Sequence, residues 1–457
     1  MKKFVLYFFI AAGLTATADI NAKIWRVNNN PGKSCDYTTL TAALQDAQPG
    51  DAGAVKTGDT IHIEGSVTEY GMDGQTATKC DTVKIKLVII GPGYQLTDNS
   101  ETQHNKESAK VRTLHIAHSA AGTVIAGLEQ VAPTGGTNYY AAAKTGLQAG
   151  YYGMNATGVN TYGGWGDTPS CFKLRIEADS VVVSHCKLFY VDIYNATHAL
   201  TNITITKCLF NPGLIAAAAG VEEVINLIIS NNFFKNYWDW GVSYWPTIAN
   251  SNAVIDLRGS TNYTYTTNSA TIWEQWVFPV INPTIQNNTF YASFSIIAKG
   301  CQLYNNLFFP KQAGDYRNFG LWQYADRPHV TRNNIIFNGS YWGSPSAGGY
   351  YYNNNNYGGM LPGADGNMYS NITETSWFAS STTLPLNDKS FILGANSPAK
   401  DASGDDTKQR GMYGGLAPYV LSGLYTIPAV WEITIPNYPT GEVPSTGFEV
   451  RVRVKSH

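Results

Sequence analysis

One triplet recurs through the middle of this chain: a β-branched run, then a small polar residue, then Leu or Phe two positions on. Val181-Val182-Val183 precedes Cys186 and Leu188, Ile203-Thr204-Ile205-Thr206 precedes Cys208 and Phe210, and Leu227-Ile228-Ile229 precedes Asn232 and Phe234. The pattern returns around Asn287-Asn288 with Phe290, Asn305-Asn306 with Phe308, and Asn333-Asn334 with Ile336. The intervals between the polar positions are 22 (Cys186 to Cys208), 24 (to Asn232), 56 (to Asn288), 18 (to Asn306) and 28 (to Asn334). A repeat of a few tens of residues marks a solenoid, in which no unit buries its apolar side alone. The runs are rich in Val, Ile and Thr and the units are short, so each unit is a coil of short strands. The 56-residue interval is either two coils or one coil with an insertion.

The second half of each triplet says how coils stack. Asn tolerates positive φ better than other non-glycine residues, so the Asn pairs mark tight turns. Their amides, one above another, can bond as a ladder, with the following Leu or Phe stacked inside. Cys186 and Cys208 hold the ladder position in two coils, where a small, easily buried side chain fits. A β-sandwich explains regular hairpins but not one recurring triplet. The expectation is therefore an all-β parallel β-helix.

The triplets, read with the order of elements before them, resemble the right-handed parallel β-helix proteins of the pectin-lyase-like superfamily over about residues 25 to 400. The resemblance implies a single-stranded right-handed solenoid with an N-terminal capping helix. It implies little about activity, because the superfamily holds lyases, hydrolases, epimerases, tailspikes and adhesins.

In chain order, Lys2 and Lys3 precede an apolar run from Phe4 to Leu14, with small residues at Ala16, Ala18 and Ala22. Residues 1–22 read as a signal peptide, too short to span a membrane, and the mature chain is expected to be exported without a membrane span. Ile24 to Val27 reads as a strand. Leu40, Ala43, Leu44 and Ala47 share one face of a helix N-capped by Thr39 and ended by Pro49-Gly50, and Gly58 to Ile63 opens the first coil. Lys84 to Gly91, Val111 to Ile116 and Ala120 to Leu128 read as further strands. Surface excursions are expected at 132–170, which is Gly- and Tyr-rich, at 238–265, and at 341–368, which is Gly- and Asn-rich. The β-helix with its cap and insertions is expected to fill 23–404, with residues 384–403 similar to the last coil of such proteins. Residues 405–457 form a C-terminal β-strand cap or small module, because Trp431, Ile433 and Ile435, then Phe448, Val450, Val452 and Val454, alternate with polar residues. Stacked inward thiols are the expected state of Cys186 and Cys208, while Cys35 and Cys80 can pair as a disulfide.

Charged residues make up 14% of the chain at a net charge of −2, with no basic patch, which excludes a nucleic-acid footprint. Aromatic residues make up 13%, including 29 Tyr and 11 Trp, which suits a surface that stacks on sugar rings. Two aromatic groups follow ladder turns in equivalent places: Tyr237-Trp238-Asp239-Trp240 with Tyr244-Trp245, and Tyr316 to Tyr324 with Arg317 and Trp322. Trp238, Trp240, Tyr244, Trp245, Trp322 and Tyr324 are the candidate polysaccharide-binding residues; pinning the insertions onto the coils is the structural alternative. β-Elimination of a uronic acid needs carboxylate neutralisation, often by Ca²⁺, and a base. Asp239, Arg317 and Arg258 are the candidate catalytic residues, with Asp192 and Asp256 as further acids. The Asp256–Arg258 pair also suits a plain surface ion pair. Sparse acids between 180 and 340 weigh against a hydrolase and against a rich Ca²⁺ cage. The reading is an exported protein that binds or processes an extracellular polysaccharide, a lyase if catalytic. The alternative is a non-catalytic surface adhesin or structural protein.

Overall fold

The computed structural model describes residues 22–71, 80–99, 102, 105–131, 174–194, 197–217, 222–236, 253–257, 279–292, 294–298, 300–309, 319–322, 329–337, 368–370, 388–395, 397, 399–400, 409–425, 429–434 and 451–455. The chain is predominantly β with long parallel sheets, consistent with an all-β parallel solenoid. Sheet 1 has ten strands, from Ile24–Val27 and Thr60–Ile63 through Val182–Ser184, Thr204–Thr206 and Ile228–Ser230 to Val330–Arg332, every pairing parallel. Sheet 2 takes the strands that follow each turn, including Lys187–Ile193, Leu209–Ala216, Phe233–Asn236, Thr289–Ala292 and Leu307–Phe309. Sheet 3 holds Leu200–Thr201, Val224–Ile225 and Val280–Ile281. A six-residue helix, Leu40–Gln45, buries Leu40, Ala43 and Leu44 against the first strands, and the Thr39 hydroxyl accepts from Ala42 N at 3.1 Å.

The turn between sheets 1 and 2 is where sequence and stacking meet. One residue per coil adopts positive φ: His185, Lys207, Asn231, Asn287, Asn305 and Asn333, at 52° to 56°. The next residue turns inward and forms the ladder. The backbone N–H of Asn232, Asn288 and Asn306 donates to the Oδ1 of Asn288, Asn306 and Asn334 at 2.9, 2.9 and 3.0 Å. Each amide nitrogen also donates to the next Oδ1 and to a strand carbonyl of the preceding coil. The inward-turned side-chain amides of Asn232, Asn288 and Asn306 are thereby paired, which is what burial demands. Cys208 N starts the ladder on Asn232 Oδ1 at 2.9 Å. Beside it Phe210, Phe234, Phe290 and Phe308 stack with ring centroids 4.7, 4.8 and 4.9 Å apart, the interstrand spacing of a parallel sheet.

Several expectations gain detail. The 56-residue interval is one coil with an insertion, because Phe233–Asn236 pairs directly with Thr289–Ala292 and Asn288 bonds Asn232. Val111 to Ile116 divides into Ala109–Val111 and Leu114–Ile116, and Ala120 to Leu128 into Val124–Ala126 and Leu128–Gln130 around Gly127 at φ +67°. The Lys84 to Gly91 strand is only Val88–Ile90. Cys186 and Cys208 are buried free thiols donating to Ser184 O and Thr206 O at 3.1 and 3.2 Å. Cys35 and Cys80 are both free, so the disulfide left open between them is not formed.

Among the described residues, 388–395 and 409–425 lie along the outside of sheet 2 as a strap. Strand alternation leaves Leu209, Phe233, Leu307, Phe309 and Ile335 on its outer side, where they form a second core with Phe391, Leu393, Met412 and Tyr419. Phe391 lies 4.5 Å from Phe233 and 4.8 Å from Tyr291 between ring centroids. Gly411 N donates to Asn305 O at 2.7 Å, Asn231 Nδ2 to Met412 O and Gly414 O at 3.0 and 2.7 Å, and Tyr94 N to Ser422 O at 2.8 Å. The strap thus passes from later coils back to earlier ones along the positive-φ column. Beyond it, Ala429–Thr434 and Arg451–Lys455 pair antiparallel, matching the two alternating strands expected there.

Candidate functional site

Parallel strands in register stack equivalent residues on one face. On sheet 2 a single row runs Thr82, His115, Arg175, Asp192, Ala216, Asp256, Ile297, Trp322. Val83, Ile116, Ile176 and Ile193, the next residues along their strands, are fully buried in the main core, so Thr82, His115, Arg175 and Asp192 face outward. Asp256 holds the next charged position, between the core residues Ile255 and Leu257. The row therefore gathers Asp192, Asp256 and the strand position of Trp322 from three distant stretches of sequence. Asp239, Arg317, Arg258, Trp238, Trp240, Tyr244, Trp245 and Tyr324 lie outside the described residues.

The first coils supply the charges. Arg175 Nε lies 2.9 Å from Glu177 Oε1 and 3.8 Å from Asp192 Oδ2, and its guanidinium sits 3.4 Å over the Tyr194 ring. His115 Nε2 lies 3.0 Å from Glu177 Oε2. Neither contact to Glu177 points along its N–H, so these are ion pairs rather than aligned hydrogen bonds. Arg175 and Asp192 are 4% and 2% exposed, whereas the His115 and Glu177 side chains each keep 19% open to solvent. Burial alone would push the His115 imidazolium down; its bonds to Cys80 and Glu177 outweigh this and raise it to about 9. Burial raises the Glu177 carboxyl, but His115, then Arg175, hold it below its ordinary value. His198 fixes the rim, with Nε2 2.7 Å from Glu177 O and its ring 3.9 Å from that of His118.

Chemically this is a row of paired charges, with the Tyr194 ring stacked on the Arg175 guanidinium. With its imidazolium raised to about 9, His115 is charged at neutral pH and is not poised to remove a proton. Among the described residues no three His, Cys, Asp or Glu side chains converge on a metal position, and the Ca²⁺ considered for a lyase has no holder there. Sequence reasoning passed over His115, Arg175 and Glu177. Their signal was the repeat of an apolar–charged–apolar triplet: Leu114-His115-Ile116, Leu174-Arg175-Ile176, Val191-Asp192-Ile193 and Ile255-Asp256-Leu257. No protein-family model matches the chain, and no curated protein matches it significantly. No helix among the described residues is long and apolar enough to cross a membrane.

Proposed function

We propose that this chain is an exported, right-handed parallel β-helix of the pectin-lyase-like kind whose function is to bind an extracellular polysaccharide along the outer row of sheet 2. The handedness follows the general rule for crossovers between parallel strands of one sheet, and the short N-terminal helix covers the first coil. Export rests on the N-terminal residues alone. The observation that carries the binding reading is the register row itself, which aligns His115, Arg175 and Asp192 on the outer side of sheet 2 with the strand positions of Asp256 and Trp322, in an otherwise charge-poor chain. Sugar hydroxyls take charge-assisted hydrogen bonds from such groups, and flat rings stack on sugar C–H faces. Binding is favoured over elimination because the one imidazole in the row is held protonated.

The test is a panel of acidic and neutral polysaccharides, read by Trp fluorescence for binding and ultraviolet absorbance for unsaturated product in the same wells. Saturable binding without product supports the proposal. Product growth on a uronate polymer replaces it with a lyase, and silence in both channels removes the saccharide reading.

A further inference from the structure

Asp59 is a buried carboxylate at the entry to the first coil, 2% exposed. Its Oδ1 accepts from Lys23 N at 2.8 Å, and its Oδ2 accepts from Trp25 Nε1 at 2.7 Å and from Lys56 N at 2.8 Å. All three donors are uncharged N–H groups, and Asp59 has no ion pair among the described residues. The ammonium groups around it are engaged elsewhere: Lys23 Nζ lies 3.2 Å over the Trp25 ring and Lys56 Nζ donates to Asp51 O. Lys86, whose carbonyl accepts from Gly58 N, turns its side chain to Gly122. A buried carboxylate with no counter-charge is costly.

One of the three donors can supply that charge. Lys23 N belongs to the peptide bond that follows Ala22, the last of the small residues behind the apolar N-terminal run. Ala22 and Lys23 are both exposed, so the bond between them is open to a peptidase. Thr60 N donates to Lys23 O at 2.8 Å, and the pairing of Ile24–Val27 with Thr60–Ile63 follows directly. The sheet register thus starts just after the bond, and the carboxylate faces the bond's nitrogen.

We infer that Asp59 is the receptor for the amino terminus made by leader removal: hydrolysis between Ala22 and Lys23 frees an α-ammonium that the buried carboxylate holds. In the step, water adds to the Ala22 carbonyl carbon and the carbon–nitrogen bond breaks. The leader leaves as a carboxylate, and both water protons end on Lys23 N. An amide donor becomes a full charge against Asp59 Oδ1, and a charge-assisted hydrogen bond is the stronger of the two. The first strand is therefore held more firmly after processing than before it. Cleavage after Ala18 leaves Asp19-Ile20-Asn21-Ala22 in front, keeps Lys23 N an amide and leaves the carboxylate unpaired. The inference rests on the export reading and adds where processing stops and what receives the new terminus.

The test begins with N-terminal sequencing of the full chain after export from a bacterial host, and a terminus at Lys23 is expected. A terminus at Asp19 overturns the inference and leaves export standing. A chain retained in the cell with residues 1–22 attached removes export and the inference together. The ion pair is then read by acetic anhydride labelling across pH, scored as the fraction of chains blocked to sequencing, which counts acylation of the α-amine and ignores lysine side chains. The same protein in denaturant is the reference, an ordinary α-amine that titrates at about pH 8. The charge of Asp59 favours the ammonium, so at about pH 8 the folded terminus is predicted to label at least about tenfold more slowly than the unfolded one, the gap closing towards about pH 10. Asp59→Asn is predicted to restore the ordinary profile. A folded terminus that follows the unfolded profile overturns the inference without any variant. Protection that does not change with pH reports burial alone and overturns it as well.

Discussion

Asn288 shows how much of the stacking one side chain carries. Its Oδ1 accepts from both Asn232 N and Asn232 Nδ2, and its own amide donates to Ile229 O and Asn306 Oδ1. Asn288→Ala removes four buried hydrogen bonds and takes the side-chain partner from Asn232 N and Ile229 O, each orphaned group costing about 1–3 kcal/mol. We predict a loss of at least about 3 kcal/mol in denaturant unfolding, against less than about 1 kcal/mol for the exposed Asn226→Ala. His185 sets a pH dependence. Burial, aided by the Lys207 charge, pushes its imidazolium down to about 3. A basic group depressed in the folded state leaves stability intact above its ordinary value near 6.5, and that stability is lost as pH falls towards 3. At about 1.4 kcal/mol per unit the ceiling is roughly 5 kcal/mol. The His185 ring meets Tyr425 edge-on at 5.4 Å, so the loss should fall on the strap. Asp388 opposes it: burial raises its carboxyl, so its contribution is present at low pH and lost as pH rises through the raised value. Hydrogen exchange at residues 409–425 is predicted to quicken between about pH 7 and 4.5, and His185→Asn, which keeps the turn residue used by other coils, is predicted to flatten the response. The Asn turns were legible because Asn is the residue such φ values favour. His185 and Lys207 were not, because their positive φ is imposed by the coils on either side.

At the level of elements, the phenylalanine column and the strap are the two packing devices. Phe290 lies between Phe234 and Phe308, and Phe290→Ala is predicted to cost about 3–5 kcal/mol, read as a fall in the thermal midpoint. Removing residues 388–457 bares Leu209, Phe233, Leu307, Phe309 and Ile335. That truncation is predicted to keep its β circular dichroism while gaining dye binding and self-association; a monodisperse product with no dye binding would contradict the packing role of the strap. Strand identity was readable in Ile203 to Thr206 or Leu227 to Ile229, since those runs are β-branched and tightly spaced. The strap was not, because Phe391, Met412 and Tyr419 lack any period. Their strand partners lie about 100 to 160 residues earlier, on the outward alternation of sheet 2.

On the scale of the molecule, the fold was legible and the site only partly so. A repeat announces stacking, but a register row becomes visible only once strands such as Leu174–Ile176 and Val191–Ile193 are placed side by side. Asp192 and Asp256 were noticed as isolated acids, whereas the meaning of His115 and Arg175 rests on their neighbours across the sheet. The most direct measurement is equilibrium binding of a polysaccharide panel to the wild type, to His115→Leu, and to Thr204→Ala on the opposite sheet 1 face. We predict saturable binding to at least one polymer, weakened at least about tenfold by His115→Leu and unchanged by Thr204→Ala. Binding that survives His115→Leu but fails in Thr204→Ala, or no binding at all, would contradict the assignment of sheet 2 as the ligand face.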